Sequence, residues 1–385
     1  MPGTETDADG TVLQDVAVVH DWLPVLAGGE RVVAEMIRTC PNSSLYTLFD
    51  FLSDTDRETV AQGHRIVTSP LNRLPMAHLY YRYLLLRCTR AIEDFDVTNH
   101  EVVLSSSAAL AKGVLTSPEQ THIAYVHSPA RYAWDLTHDY INGISGLAGG
   151  LKRPFARSMM HKFRMWDMRT IPSVDHFIAN SQFIRKRIWK VYRRDAQVIY
   201  PPVDTSAFTP GTKPREDAYL TVSRLVPYKR VQLIVEAFNQ RPDLKLRVVG
   251  EGPEMAAIRA SAGRNIEILG HLPFLRMRDL MRSAKAFVFA AKEDFGIVPL
   301  EAQACGTPVI ALGHGGTAET VRPLGQDDPT GTWFHEQSVA SLLAALDEFE
   351  RNIDVFKPET CRAHALTFGA GRFRRELAAA IAKHS

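Results

Sequence analysis

The stretch that decides the fold runs from Ala286 to Ala311 and reads AFVFAAKEDFGIVPLEAQACGTPVIA. Its apolar start has the length of a buried strand, and a second apolar run, PVIAL, follows at 308–312. Proline is favoured at the start of a helix, so we expect the helix between the two strands to begin near Pro299, with Glu301 in its first turn. Strand, helix and strand in this order predict a parallel sheet covered by helices.

The same alternation continues through nearly the whole chain. In the second half, strands are predicted at 218–223, 246–250, 266–270, 286–291 and 308–312. In the first half, strands are predicted near 15–20, 43–48, 101–104, 122–127, 175–179 and 197–200, with helices near 29–39, 76–91, 154–170 and 181–191. The sequence therefore predicts an α/β protein of two Rossmann-like parallel-sheet domains with an intervening cleft.

Domain boundaries follow from breaks in this alternation. Prolines at 201 and 202, and a Pro/Gly/Lys/Glu stretch up to Asp217, allow neither a helix nor a central strand to continue. We predict a disordered tail at 1–12, a first domain at 13–200, a linker at 201–217, a second domain at 218–365 and a C-terminal helix at 366–385 that returns to the first domain.

Composition narrows the class of protein. A length of 385 residues favours two hydrophobic cores, and a net charge of +2 is too small to indicate nucleic-acid binding. The four cysteines lie far apart without C-x-x-C spacing, so neither a zinc site nor a disulfide framework is expected. The polar N-terminus does not resemble a signal peptide, and no apolar run reaches the roughly 18 residues of a membrane span. We expect a cytoplasmic protein.

Ligands of such sheets bind beyond the carboxyl ends of the strands. Glu293 and Glu301 flank the start of the predicted helix, where the free amides of Gly296, Ile297 and Val298 form an anion site suited to part of a sugar diphosphate. The alternative is that Glu301 only complements the helix dipole and that Glu293 is a solvated loop charge.

A second cluster of charge follows the first strand of the second domain, in TVSRLVPYKRV at 221–231. Arg224 and Lys229 are suited to a diphosphate, because a guanidinium and an ammonium neutralise charge on a leaving group. The alternative is that both residues are ordinary surface charges. Glycine-rich loops at 250–254 and 313–319 either approach the nucleotide sugar with bare backbone or serve as tight turns.

The first domain carries its own candidates after its strands. Gly28 and Gly29 precede a helix without forming G-x-G-x-x-G or a P-loop, which argues against an NAD-dependent dehydrogenase. His127 ends a strand and is expected either to position a ligand and handle a proton or to be a structural histidine. The candidates for acceptor binding are Asp21, Arg131 and Tyr132. For Asp21, the alternative is a turn cap.

These residues together resemble retaining glycosyltransferases of family GT4, which have the GT-B fold. The E-x7-E motif of the family matches Glu293 through Glu301, with Phe295-Gly296 and Pro299-Leu300-Glu301-Ala302 between and around them. The resemblance implies that Glu293 contacts the donor sugar and that Glu301 binds the ribose hydroxyls. It also implies catalytic roles for His127, Arg224 and Lys229 beside Glu293. The further donor-binding residues that it implies in both domains are Gly28, Gly29, Arg224, Lys229, Phe295, Gly296, Ile297 and Val298.

The resemblance further implies a retaining transfer without cofactor or metal. No nucleophile is evident, so we expect a same-face substitution in which the departing diphosphate helps to deprotonate the acceptor. Asp-x-Asp occurs at 54–56 and 94–96, but neither motif follows a buried strand of the second domain. The HDWL, YVHSPARYAWD and RLVPYKRV segments look most like bacterial polysaccharide mannosyltransferases that use GDP-mannose. UDP-glucose as donor, or a noncatalytic nucleotide-sugar-binding scaffold, are the alternatives.

The acceptor is expected to be a lipid-linked saccharide or a saccharide. Residues 151–169 and 76–90 interleave Lys and Arg with large apolar side chains, which is typical of peripheral contact with an anionic membrane. The same pattern also fits helices whose apolar face packs on the domain core while the cations are solvated.

Overall fold

Buried strands form the first sheet. The computed structural model describes residues 15–142 and 149–385, so the predicted tail at 1–12 lies outside the described residues. Within these ranges the sheet has the order β3-β2-β1-β4-β5-β6-β7, with every neighbouring pair parallel. The strands are β1 (Val16–His20), β2 (Ser43–Thr47), β3 (Ile66–Thr68), β4 (Val102–Ser107), β5 (Thr121–Val126), β6 (His176–Ala179) and β7 (Gln197–Val198).

Helices connect these strands and cover the sheet. They are α1 (Gly28–Thr39), α2 (Asp54–Ala61), α3 (Ala77–Tyr80), α4 (Leu85–Glu93), α5 (Thr137–Asn142), α6 (Gly149–Arg169) and α7 (Gln182–Tyr192). Short 3₁₀ helices lie at Pro70–Arg73, Tyr81–Leu84, Ala111–Gly113 and Ile171–Ser173. The single helix predicted near 76–91 is thus three helical pieces, because the backbone at Tyr80 leaves the helical region.

The second sheet has the order β10-β9-β8-β11-β12-β13 and is also parallel throughout the described residues. Its strands are β8 (Tyr219–Val222), β9 (Leu246–Val249), β10 (Ile266–Gly270), β11 (Phe287–Phe289), β12 (Val309–Leu312) and β13 (Gly331–Phe334). The helices that follow are α8 (Val231–Asn239), α9 (Met255–Ser261), α10 (Phe274–Ser283), α11 (Ile297–Ala304), α12 (Thr317–Thr320), α13 (Val339–Arg351), α14 (Pro358–Leu366) and α15 (Ala370–His384), with 3₁₀ helices at Pro227–Lys229 and Ile353–Val355.

Two compact units divide the chain. One comprises the residues up to Tyr200 together with Phe373–Ser385, and the other comprises Pro201–Arg372. Most of α15 therefore belongs to the first unit, where Phe373, Leu377 and Ile381 are buried in the core that β1 and α1 share. The segment 201–217 belongs to the second unit, because its Phe208 is buried in that core. Two parallel sheets with helices confirm the predicted α/β class.

Both sheets place a reversal of strand order between their first and fourth strands. β1 lies beside β2 on one side and β4 on the other, and β8 is flanked by β9 and β11. The connections that follow the first and the fourth strand of each unit therefore run toward opposite edges of the sheet. Where they diverge, a crevice opens at the carboxyl ends of the strands. Within the described ranges, no helix has the length and apolar composition needed to cross a bilayer.

Candidate functional site

An ion pair spans the strand reversal of the second unit. Lys229 ends the 3₁₀ helix after β8, Glu293 follows β11, and the distance from Lys229 Nζ to Glu293 Oε1 is 2.5 Å. The two side chains are 16% and 22% exposed, so the pair is partly desolvated but open on one side. The ammonium also lies 5.6 Å from the centre of the Phe289 ring. The structure thus brings together two of the predicted site residues that are distant in sequence.

Arg224 stands apart from this pair. It follows β8 directly and is exposed, and its side chain has no ion pair among the residues that the structure describes. An exposed guanidinium next to the end of a central strand remains able to turn toward a bound anion.

The α11 helix begins earlier than predicted. Gly296, with a φ of 90°, forms its N-cap, and the first helical residue is Ile297 rather than one near Pro299. The expectation that Glu301 lies in the first turn is therefore wrong, because the left-handed glycine lets the helix start two residues sooner. Glu301 sits one turn further in and is only 9% exposed. The amides of Ile297 and Val298 occupy the first turn, where helical amides lack carbonyl partners within the helix.

Phe295 contributes to this loop by packing. Its side chain is 3% exposed and lies against Phe368, with 5.8 Å between the ring centres. The ring is therefore packed inside the unit, and donor binding through the backbone of Phe295 stays a prediction.

A glycine loop braces Glu293. The amide of Gly316 donates to the carbonyl of Glu293 over 2.8 Å, and Gly315 has a φ of 78°. A Cβ at Gly315 would lie 2.4 Å from the same carbonyl oxygen, so only glycine permits this approach. The loop at 250–254 behaves similarly, since a Cβ at Gly250 would lie 1.8 Å from the carbonyl oxygen of Ser223. The glycines thus allow the loops at the strand ends to pack against one another.

In the first unit, the strand reversal carries a network of polar side chains. Ser106 of β4 lies with its Oγ 3.1 Å from His20 Nδ1 at the end of β1 and 2.8 Å from Nε2 of the half-buried His127, which follows β5. Burial, and then the neighbouring His20, lower the pKa of His127 to about 3, so His127 is uncharged at neutral pH. Neither His20 nor Ser106 was among the predicted site residues.

The backbone around His127 is held in place by its neighbours. Its amide donates to the carbonyl of Ser107 over 2.8 Å, and Asn180 Nδ2 donates to its carbonyl over 3.0 Å. Arg187 of α7 contacts Ser128 Oγ over 2.6 Å and Asp135 over 2.6 Å, which ties down the segment that follows. His127 therefore has a fixed position at the strand end.

Gly28 and Gly29 are the first two residues of α1. Gly29 lies close to the network, because a Cβ there would be 3.9 Å from His20 Cε1. That is an ordinary contact distance, so the first unit alone does not demand glycine at this position. The amides at the N-terminus of this twelve-residue helix are suited to an anion.

Asp21 is corrected from an acceptor candidate to a structural cap, the alternative that the sequence left open. Its side chain is 1% exposed, and its two oxygens accept hydrogen bonds from four consecutive backbone amides, 108–111, over 2.5–2.8 Å. A carboxylate that is fully used in this way has no lone pair directed at an acceptor. Asp21 instead fixes the loop that follows Ser106.

Tyr132 and Arg131 lie on the segment after His127. The Tyr132 ring packs against Phe163 with 5.8 Å between ring centres, and burial raises the pKa of its hydroxyl well above the usual value. That hydroxyl has no hydrogen-bond partner within the described ranges, and Arg131 is half-buried beside it. Both residues stay candidates for acceptor contact, through the hydroxyl of one and the guanidinium of the other.

Comparison with solved structures places this architecture in the GT-B class of glycosyltransferase folds. The structure of Anabaena Alr3699/HepE in complex with UDP and glucose aligns with a TM-score of 0.69 at 14% identity, covering 96% of this chain and 99% of that one. Sucrose-phosphate synthase of Thermosynechococcus elongatus aligns with a TM-score of 0.69 at 16% identity, covering 96% and 98%.

Sequence families agree with the fold. The family described as Glycosyltransferase Family 4 matches residues 26–207, and the one described as Glycosyl transferases group 1 matches residues 203–362. The chain therefore carries a Glycosyltransferase Family 4 domain followed by a Glycosyl transferases group 1 domain.

Curated relatives match over parts of their length. D-inositol 3-phosphate glycosyltransferase of Mycobacterium sp. (strain KMS) is 29% identical over 208 residues, 46% of this chain and 47% of the relative. The GDP-mannose-dependent monoacylated alpha-(1-6)-phosphatidylinositol monomannoside mannosyltransferase of Corynebacterium glutamicum is 36% identical over 180 residues, 39% of this chain and 47% of the relative. The chain spans about half the length of the curated relatives it matches.

Proposed function

We propose that this chain is a retaining, metal-independent glycosyltransferase that moves mannose from GDP-mannose to a lipid-linked or saccharide acceptor. The observation that carries the proposal is the Lys229–Glu293 pair, held at the strand reversal of the second unit beside the N-terminus of α11. A cation, an acid and free helix amides meet there, where a nucleotide diphosphate and its sugar need opposite kinds of partner.

Each group has a distinct role in the proposed transfer. Lys229 and Arg224, with the amides of Ile297 and Val298, stabilise the charge that develops on the departing diphosphate. Glu293 accepts hydrogen bonds from the hydroxyls of the donor sugar, and Glu301 accepts from the ribose. Because sugar hydroxyls are vicinal pairs, a carboxylate with two oxygens is well suited to either task.

Retention without an enzymic nucleophile requires a same-face substitution at the anomeric carbon. The acceptor oxygen forms its bond to the anomeric carbon on the face from which the diphosphate leaves, and the acceptor proton passes to a diphosphate oxygen. No metal is required, since the cationic side chains neutralise the leaving group. Full turnover in the presence of a chelator is the expected result, and loss of turnover with rescue by manganese would reject this part of the proposal.

The choice of GDP-mannose draws on the sequence segments HDWL, YVHSPARYAWD and RLVPYKRV and on the name of the Corynebacterium relative. UDP-glucose is the second candidate donor, since the Anabaena structure holds UDP and glucose. A donor-hydrolysis screen across GDP- and UDP-sugars decides between them, with Glu293→Ala as the control that separates enzymic from spontaneous hydrolysis. Binding of a nucleotide sugar without hydrolysis or transfer to any acceptor would instead favour a noncatalytic scaffold.

Membrane contact is proposed for the surface that α3, α4 and α6 expose. One face of α6 is fixed inside the unit, where Asp167 pairs with the buried Lys112 and accepts a hydrogen bond from Trp134 Nε1 over 2.7 Å. The other face exposes Phe155 and Met165, at 71% and 55%. Leu79 and Tyr83, in the neighbouring helical segment, are 64% and 81% exposed.

Exposed cations accompany these apolar side chains, which supports an anionic lipid surface as the partner. They are Arg82, Arg87, Arg90, Lys152, Arg153, Arg157 and Lys162. A cavity of about 490 Å³ beside α6, lined in part by Trp134, Ile141 and Arg157, has the mixed apolar and cationic character that a lipid-linked anionic acceptor requires.

Vesicle flotation tests this surface. The triple variant Arg153→Glu, Arg157→Glu, Lys162→Glu should lose association with vesicles that contain anionic lipid. A matched control reverses three exposed cations of the second unit, Lys245, Arg264 and Arg351, and should keep it. Equal flotation of both variants would end the membrane proposal without touching the transfer reaction.

A further inference from the structure

The polar network of the first unit contains a chain of three hydrogen-bonding groups. His20 Nδ1 lies 3.0 Å from the backbone carbonyl of Ser106 and 3.1 Å from its hydroxyl, and that hydroxyl lies 2.8 Å from His127 Nε2. Ser106 is fully buried and His20 is 4% exposed, so bulk water does not compete for these contacts.

The backbone carbonyl of Ser106 determines whether His20 Nδ1 donates or accepts. A carbonyl oxygen only accepts hydrogen bonds, so the ring nitrogen that faces it must carry a hydrogen. His20 Nδ1 is therefore a donor, whether the ring is neutral or charged. The same hydrogen is shared with the Ser106 hydroxyl oxygen, which lies at nearly the same distance.

The hydroxyl of Ser106 determines whether His127 Nε2 donates or accepts. Among the described residues, the partners of Ser106 Oγ are the rings of His20 and His127. Since His20 Nδ1 donates, the single hydrogen of the hydroxyl has only His127 Nε2 to accept it. A hydrogen on His127 Nε2 would leave the buried hydroxyl donor without an acceptor, which is costly.

We infer that His20 and Ser106 are positioning residues that set the tautomer of His127, leaving its Nε2 as an acceptor and its hydrogen on Nδ1. His127 then presents a neutral N–H donor at Nδ1, for which the described residues provide no hydrogen-bond partner, since the ring contact found is the one at Nε2. The lowered pKa of His127 agrees with a neutral ring.

This assignment deepens the proposed function, on which its second part rests. With Nε2 occupied by Ser106 and Nδ1 already protonated, His127 cannot take the proton of an acceptor hydroxyl. Its N–H instead donates to an oxygen of the nucleotide sugar, either a sugar hydroxyl or a phosphate. The proton-handling role considered for His127 from the sequence is thereby replaced by orientation of the donor substrate.

Nitrogen NMR of the full chain tests the tautomer independently of activity. With ¹⁵N-labelled histidine, and with His127→Gln to assign its signals, the ring of His127 should show a protonated Nδ1 and an unprotonated Nε2 at neutral pH. Ser106→Ala should shift the balance toward hydrogen on Nε2, whereas Ser106→Thr, which keeps the hydroxyl, should not. Hydrogen on Nε2 in the unaltered chain, or a tautomer balance unmoved in folded Ser106→Ala, would overturn the inference.

The donor role is tested by two substitutions of His127. Asparagine places an N–H group near the position of Nδ1 but cannot act as a base, whereas alanine provides neither. The KM for the donor should therefore be on the order of ten-fold lower in His127→Asn than in His127→Ala. Equal loss in both variants would reject the donor role while the NMR result stands. A chain inactive with every nucleotide sugar would reject the proposed function and leave the tautomer measurement valid.

Discussion

Replacing Glu293 should separate turnover from nucleotide binding. Glu293 pairs with Lys229 at 2.5 Å, and both side chains are mostly buried. Glu293→Ala removes a hydrogen-bond acceptor for the donor sugar, and loss of one such contact in the transition state lowers kcat by about 10²-fold to 10³-fold. The same change frees Lys229 from its competing carboxylate, so GDP should bind as well as before or more tightly.

Lys229→Met is the matched variant, because it breaks the same ion pair from the other side. Loss of a charge-assisted hydrogen bond to the diphosphate costs about 2 kcal/mol, or roughly 30-fold in GDP affinity. Any destabilisation from the broken pair is common to both variants, so it cannot produce opposite effects on binding.

Calorimetric titration with GDP and UDP, together with single-turnover transfer, measures the two quantities separately. The expected pattern is a large loss of turnover with intact binding for Glu293→Ala, and a loss of both for Lys229→Met. Equal losses of binding and turnover in Glu293→Ala, or full GDP affinity in Lys229→Met, would refute the roles assigned to the pair.

Three further predictions concern the framework of the site. Asp21→Ala leaves four amides without their acceptor and should lower the free energy of unfolding of the chain by about 3 kcal/mol in urea titrations; a loss below about 1 kcal/mol would contradict the capping role. Gly315→Ala should displace Glu293 and reduce turnover, whereas Gly325→Ala, which has a similar φ of 88° but no atom within 4 Å of its Cβ, should cost only about 1 kcal/mol of stability and leave turnover unchanged. Burial lowers the pKa of His122 to about 4, below that of the unfolded chain, so its contribution to stability is full above pH 6.5 and is lost as the pH falls toward 4; His122→Gln should remove about 2 kcal/mol of the acid-induced loss at pH 5 in urea titrations, and an unchanged loss would contradict the shift.

The sequence predicts every central strand of both sheets and also the edge strands β7 and β10. A strand of a parallel sheet that is buried on both faces reads as a continuous apolar run, as β1 and β12 do. β3 and β13 were not predicted, and both are edge strands. β3 has only three residues, all half-buried, so its side chains carry no such run. Edge position alone does not hide a strand, since β7 and β10 are edge strands that the sequence does predict.

The charged pair of the second unit could be expected from sequence because each residue follows a recognisable strand. Ligands bind at the carboxyl ends of parallel strands, and these ends lie at one edge of the sheet. Lys229 and Glu293 are therefore expected at the same edge, although they are 64 residues apart in sequence. Asp21 obeys the same rule but serves a different purpose. A carboxylate after a strand looks the same whether it faces a ligand or backbone amides, and only the course of the chain at 108–111 decides between them.

The network of His20 and Ser106 required knowledge of strand order. β1 and β4 are adjacent because the strand order reverses between them, and no local sequence pattern indicates that these two strands pair. A signal was nevertheless present, since both strands begin with valines and end in polar residues, VAVVH and VVLSSS. Polar side chains at the ends of buried strands must find partners in the protein or in a ligand.

The two units use the same topological position for different physical purposes. The second unit places opposite charges at its strand reversal, and a charged partner such as a diphosphate can exchange with one member of the pair. The first unit places a chain of hydrogen bonds there, in which the donor of one bond determines the donor of the next. Charge favours attraction of an anionic ligand, and a fixed donor favours its orientation, because a hydrogen bond weakens steeply when its angle departs from linearity. Neutralising a diphosphate and holding a sugar in one orientation are separate physical tasks, and the arrangement in each unit suits one of them.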